Sequence, residues 1–145
     1  MKKTIIAVLA VVMIFSVLSV VLVSCHAKTS ADSIKSGLEK AGYKVDQYDK
    51  NTFETAQSTV TIKTSEMDGL QTVFYAYKGT DNKDSILVFV FESIKKATVS
   101  DEVQGILLDW GRNHAPETDT SIYGTHNNVV WAGSSAARSA AGLNG

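Results

Sequence analysis

The stretch from residue 85 to residue 92 carries large apolar side chains at six successive positions, and it restricts the fold more than any other feature. In an extended chain, successive side chains point to opposite faces. The two resulting sets are Ile86, Val88 and Val90 on one face and Leu87, Phe89 and Phe91 on the other. Because a strand that is apolar on both faces needs cover on both sides, we expect it in the middle of a sheet.

The rest of the chain has the pattern of an α+β domain. Alternating apolar residues predict strands, and apolar residues three and four positions apart predict helices. The predicted elements are a helix at 31–41, strands at 43–48, 58–63, 70–78 and 85–92, a helix at 101–110, strands at 121–124 and 128–132, and a helix at 136–141. The expected fold is a mainly antiparallel sheet of about five to six strands with two to three helices packed on it.

The boundaries of these elements are predicted from turn and capping residues. Residues 49–51 predict a turn, with Phe53 packing on the sheet edge. Gly111 is expected to end the helix at 101–110, because glycine suits the position after a helix. Residues 112–120 are then a polar loop. The two asparagines within 125–128 tolerate positive φ and predict a tight hairpin turn.

The first 25 residues differ in composition from the rest. Lys2 and Lys3 form a short positive end, and residues 5–23 are apolar except for two serines. The run ends in Leu22-Val23-Ser24-Cys25. A positive end followed by an apolar run and a small residue is the general layout of an N-terminal export signal.

This order, with a cysteine at the boundary, resembles a bacterial lipoprotein signal peptide with its lipobox. The resemblance covers the signal at 1–24 and not the domain behind it. It implies that the chain is cut before Cys25, that Cys25 is acylated, and that the lipid bilayer is a partner through this group. Residues 25–30 would form a lipidated linker, followed by a single domain at 31–145. The expected location is the cell membrane, facing outside the cytoplasm.

An uncleaved membrane anchor is the alternative interpretation of the same segment. The nineteen residues at 5–23 would form a helix about 28 Å long, enough to cross a hydrocarbon core. The apolar part of a signal peptide is typically about 7–15 residues. The cysteine favours the lipoprotein, because an anchor does not need one and the sequence has no other. In both cases Lys2 and Lys3 stay in the cytoplasm and the domain lies outside it.

Charge and cysteine content exclude several classes of function. Removal of residues 1–24 leaves 121 of the 145 residues and 12 of the 14 Lys and Arg against 15 Asp and Glu, a net charge of −3. A nucleic-acid partner needs a basic surface, so none is expected. With Cys25 acylated, no thiol remains for a disulfide, a cysteine metal site or a nucleophile. No cofactor is expected.

The three histidines are the first candidates for proton transfer or metal binding. His26 lies beside Cys25 in the linker, and His126 lies in the predicted hairpin turn, so both are expected to be solvated. A metal site needs three or four converging ligands, and the histidine spacing matches no metal motif. No metal is therefore expected.

The segment around His114 is the best candidate for a ligand-binding loop. Trp110 supplies an apolar wall that can shift a pKa. The charged residues close to it in sequence are Asp109, Arg112, Glu117 and Asp119. A carboxylate next to His114 would form an acid and base pair. A helix end followed by a polar loop also gathers such residues without any function, since a cation there complements the helix dipole.

Other catalytic motifs are missing from the sequence. It contains neither a G-x-S-x-G elbow nor a glycine-rich phosphate loop. Tyr75 and Tyr77 share one face of a predicted strand with Val73, which is typical of a core, with an exposed binding platform as the alternative.

These observations favour a small membrane-anchored lipoprotein of the cell envelope that acts without catalysis. It is expected to bind another envelope protein or a small ligand through its sheet or through the loop at 111–120. The alternative is a small envelope hydrolase that uses His114 with Asp109 or Asp119.

Overall fold

The structure is a computed structural model that describes residues 28–57 and 61–144. The predicted signal and Cys25 lie outside the described residues, as does His26. Within the described ranges, no helix combines the length and the apolar character needed to cross a membrane.

Nine regular elements and two short 3-10 turns form the described part of the chain. The helices are α1 (Ala31–Lys40), α2 (Lys50–Ala56), α3 (Asp101–His114) and α4 (Ser135–Ala140). The strands are β1 (Lys44–Tyr48), β2 (Leu70–Tyr77), β3 (Ser85–Phe91), β4 (Tyr123–His126) and β5 (Val129–Gly133). All neighbouring strands are antiparallel, and their order in the sheet is β1-β2-β3-β5-β4. The predicted α+β fold with an antiparallel sheet is confirmed.

Strand β3 lies in the middle of the sheet and is buried along its whole length. Ile86, Val88 and Val90 belong to a core that also contains residues of α1 and α4. Leu87, Phe89 and Phe91 belong to a second core with residues of α2 and α3. We call these two sides of the sheet the α1/α4 face and the α2/α3 face. The prediction of a central strand covered on both sides is confirmed.

Helix α2 stands where the sequence predicted a turn. The Asp49 side chain accepts hydrogen bonds from the backbone N–H groups of Asn51 and Thr52, and the Thr52 hydroxyl accepts one from the Asp49 N–H. This reciprocal capping box starts a helix. Phe53 is buried, with its ring 5.8 Å from that of Tyr48 on the edge strand β1 and 5.8 Å from that of Phe89 on the central strand, so it packs on the sheet edge as predicted and also extends to the centre of the sheet.

The strand predicted at 58–63 is not formed by residues 61–63, and residues 58–60 lie outside the described part. The Gln57 side chain instead forms two hydrogen bonds with the backbone of Ile62. Its amide donates to the Ile62 carbonyl and accepts from the Ile62 N–H, each at 2.8 Å. Two side-chain hydrogen bonds therefore replace a strand ladder here.

Helix α3 continues past Gly111 and ends at His114, so the predicted helix end is wrong. A Cβ at Gly111 would lie only 2.6 Å from the carbonyl oxygen of Ile122. Glycine is therefore explained here by the close approach of the chain before β4, and not by a turn. Beyond it, the predicted hairpin is confirmed, with Asn127 at φ 51° in the turn between β4 and β5.

The chain enters the domain at one end of the sheet, where buried Asn128 fixes it. The Asn128 side chain accepts from the Thr29 N–H at 2.7 Å and donates to the carbonyls of Thr29 and Phe91 at 3.1 and 2.8 Å. Phe91 is the last residue of β3. Thr29 therefore lies at the end of the sheet opposite the β2–β3 hairpin.

Candidate functional site

A cleft of about 350 Å³ opens on the α2/α3 face. Helix α2 packs on β1 and β2, whereas α3 packs on β3, β4 and β5, which leaves the sheet open between them. The floor of the cleft is a row of cross-strand neighbours formed by Asp46, Tyr75 and Leu87. This row lies toward the β2–β3 hairpin, and Asn82 of that hairpin also lines the cleft. The volume lies within the range of small-ligand sites.

Aromatic rings wall the cleft at several angles. The Tyr75 ring meets the Trp110 ring edge-on, at 6.1 Å and 83°. On the opposite side, the Tyr48 ring meets the Phe53 ring at 5.8 Å and 65°. The rings therefore surround the space and do not form one flat platform.

His114 extends the aromatic wall on the α3 side. Its ring stacks on that of Trp110, four residues earlier in the helix, with centroids 4.0 Å apart and planes 7° apart. Its Nδ1 lies 2.8 Å from the Trp110 carbonyl oxygen, and because a carbonyl can only accept, Nδ1 is the donor. Burial lowers the pKa of His114, with a further contribution from the charge of Lys83, against the raising effect of this hydrogen bond. The ring is therefore neutral at pH 7 and keeps Nε2 as an acceptor.

The polar lining consists of one carboxylate and several neutral groups. Asp46 is the carboxylate, and none of the described residues that line the cleft is Lys or Arg. Burial raises the pKa of Tyr48 and of Tyr75, so both hydroxyls are neutral donors at pH 7. The Gln57 amide is already bonded to Ile62.

The ligand-binding loop predicted from sequence lies only partly in the cleft. Trp110 and His114 line it. Asp109 is exposed and accepts a hydrogen bond from Arg112 at 2.9 Å. Asp119 accepts two hydrogen bonds from Ser135, at 2.8 and 2.9 Å, at the start of α4.

The predicted acid and base pair is consequently not formed in the described part of the chain. No hydrogen bond joins His114 to Asp109 or Asp119 there. Because α3 runs through His114, Asp109 and His114 are five residues apart in a helix and point in different directions.

Sequence reasoning missed the cleft residues that come from β1 and α2. Asp46 and Tyr48 alternate on one face of β1, which was a usable signal. Phe53 follows the capping box at Asp49 and Thr52, which was also visible in the sequence. The register that places Tyr75 between β1 and Leu87 has no comparable signal in the sequence.

The remaining histidine of the described part lies away from the cleft. His126 ends β4 and has its Nε2 3.3 Å from the side-chain nitrogen of Asn127. Across residues 28–57 and 61–144, no group of three or more His, Cys, Asp or Glu converges as a metal site would require.

No protein family model, curated protein or solved structure matches this chain. A functional proposal therefore depends on the geometry of the described residues.

The lowered pKa of His114 predicts a pH dependence of stability. The unfolded chain regains a pKa near 6.5 and binds more protons, so the stabilisation is present above about pH 6.5 and is lost as the pH falls through the folded-state pKa. We expect His114→Gln to flatten the decline of the unfolding free energy between about pH 7 and pH 5. Urea unfolding at several pH values measures this decline.

The matched control is Asn113→Gln, an exposed position of α3 next to His114 that carries no titrating side chain, and it should leave the decline as in the wild type. Equal declines in the wild type and His114→Gln would contradict the lowered pKa of this ring.

Proposed function

We propose that this chain is a lipoprotein of the bacterial cell envelope, anchored outside the cytoplasm by lipid on Cys25, whose domain binds a small ligand in the cleft. One observation carries the binding proposal. An aromatic cleft of about 350 Å³ contains a neutral His114 whose hydrogen-bond partner in the described structure is a backbone carbonyl and not a carboxylate. Aromatic walls with a few polar groups are typical of sites that bind small ligands.

Binding is favoured over hydrolysis by the groups in the cleft. A hydrolase of the expected kind needs a base that is oriented by a carboxylate and that faces a nucleophile or a water. Among the described lining residues there is no Ser, Thr, Cys or Lys. The carboxylates expected beside His114 bond to Arg112 and Ser135 instead. Within the described lining, the hydrolase alternative therefore lacks a side-chain nucleophile of these types, and His114 lacks the carboxylate partner expected from Asp109 or Asp119.

An activity panel tests this choice. We expect the full-length chain in a non-ionic detergent to show no turnover of ester, phosphate, peptide or glycan substrates above the buffer rate. His114→Ala should behave in the same way. Turnover by the wild type that His114→Ala abolishes would overturn the binding proposal and establish a hydrolase.

Anchoring through Cys25 is supported by the lipobox at 22–25. It predicts that the intact mass of the membrane-extracted protein lacks residues 1–24 and includes acyl chains on Cys25. Cys25→Ala should keep residues 1–24 and carry no lipid. The control Ser24→Ala keeps a small residue before the cysteine and should still be processed.

Intact-mass measurement of the three proteins decides between the two kinds of attachment. A wild-type chain that retains residues 1–24 and gains no lipid would contradict the lipoprotein proposal and favour an uncleaved anchor.

The position of Thr29 gives the anchored domain an orientation. Thr29 is the fourth residue after Cys25, so the extended chain between them spans at most about 14 Å. Asn128 holds Thr29 at the end of the sheet opposite the cleft. At the Thr29 end, Ile94 is 48% exposed and is followed by exposed Lys95, a combination suited to an anionic membrane surface. The cleft then lies toward the end of the sheet that is farther from the bilayer.

Fluorescence quenching by labelled lipids tests this orientation. With Cys25 acylated, Lys83→Cys and Lys95→Cys each introduce one free thiol, at exposed positions near opposite ends of the sheet. We expect a dye at position 95 to be quenched more strongly than a dye at position 83 in vesicles that contain a bilayer quencher. Equal quenching, or stronger quenching at position 83, would contradict the orientation.

A further inference from the structure

The cleft has a composition that selects one class of ligand, and this inference rests on the proposed binding function. We infer that the cleft binds a small organic cation, such as a quaternary ammonium group, between its aromatic rings and the Asp46 carboxylate. Three features favour a cationic ligand: the charge of the lining, the angles between the rings, and a lysine that already lies on the adjacent aromatic surface.

The charge of the lining favours a cation. Asp46 is its carboxylate, and the described lining has no Lys or Arg to neutralise it. After burial, which is the larger cause, the charge of Asp46 also raises the pKa of Tyr48, and it contributes in the same direction at Tyr75. The carboxylate therefore acts on both tyrosines that border the cleft. His114 does not oppose a cation, since its ring is neutral at pH 7.

The ring angles favour a compact, rounded group over a flat one. The ring pairs Tyr75–Trp110 and Tyr48–Phe53 cross at 83° and 65°. The His114 ring covers one face of Trp110 at 4.0 Å, so that face is closed to a stacking sugar or base. Aromatic walls around a carboxylate are the arrangement that recognises alkylated ammonium groups, because the ring faces are electron-rich.

A lysine already occupies the aromatic surface beside the cleft. Tyr77 stacks on Tyr75 at 5.2 Å, and the Lys44 Nζ lies 5.9 Å from the centre of the Tyr77 ring. Lys44 and Lys83 lie outside the lining of the cleft, and both are exposed, as Asp46 is. Solvent and salt weaken both the repulsion by these lysines and the attraction by Asp46, and of the three charged side chains Asp46 is the one that lines the cleft.

Calorimetric titration with choline and with 3,3-dimethylbutan-1-ol tests the inference. The two probes have nearly the same shape, but the second has a carbon in place of the charged nitrogen. We expect the full-length chain in non-ionic detergent to bind choline at least tenfold more tightly than the alcohol. Added sodium chloride should weaken the binding of choline and leave that of the alcohol unchanged.

Two matched variants test whether the preference for choline over the alcohol arises in the cleft. Asp46→Asn should remove most of the tenfold difference, because it keeps the shape of the side chain and removes its charge. Asp32→Asn, at an exposed position in the first turn of α1, should leave the difference unchanged. The comparison of the two probes on the wild type remains decisive if Asp46→Asn does not fold.

The outcomes separate the inference from the proposed function. Equal binding of both probes, or binding of the alcohol alone, would overturn the cation inference and leave a binding protein for neutral ligands. A preference for choline that survives Asp46→Asn would also overturn the inference. Binding of neither probe at millimolar concentration would overturn it as well, and hydrolysis in the activity panel would separately overturn the proposed function.

Discussion

The burial of β3 on both faces is the constraint on which the rest of the structure depends. A strand with large apolar side chains on both sides is stable in water only when each side is covered. Helices α1 and α4 cover one face and α2 and α3 cover the other. Along the chain, the helices alternate with a single strand or a pair of strands. The first and last helices cover one face and the two middle helices cover the other, so the five-stranded sheet has a helical layer on each side.

The cleft follows from incomplete cover on the α2/α3 face. Helix α2 has only seven residues and packs on β1 and β2, while α3 packs on the opposite half of the sheet. The row that contains Tyr75 and Leu87 lies between the two helices near the β2–β3 hairpin. His114 reaches this space because α3 continues three residues beyond Gly111, which places its ring one turn above Trp110.

The sequence was sufficient to predict the central strand, the antiparallel α+β class and the last hairpin, because each has a local pattern of apolar or turn residues. The sequence did not predict α2, because the turn-forming residues at 49–51 can also form the cap and first turn of a short helix. The pairing expected for His114 failed for a related reason. The partners of Asp109 and Asp119 depend on where α3 ends and on where α4 begins, and neither contact has a signal in the sequence.

The central claim is that the α2/α3 face carries the binding site, and the two tryptophans of the chain report on the two faces separately. Trp110 lines the cleft, whereas Trp131 is buried on the α1/α4 face beneath the guanidinium of Arg138, 5.0 Å from the ring centre. In a ¹⁵N-labelled chain, Trp110→Phe assigns the two indole N–H resonances. The most direct measurement is a choline titration followed by these resonances. We predict that the Trp110 resonance shifts and saturates while the Trp131 resonance stays in place; a shift of Trp131 alone, or of neither, would contradict a choline site on this face.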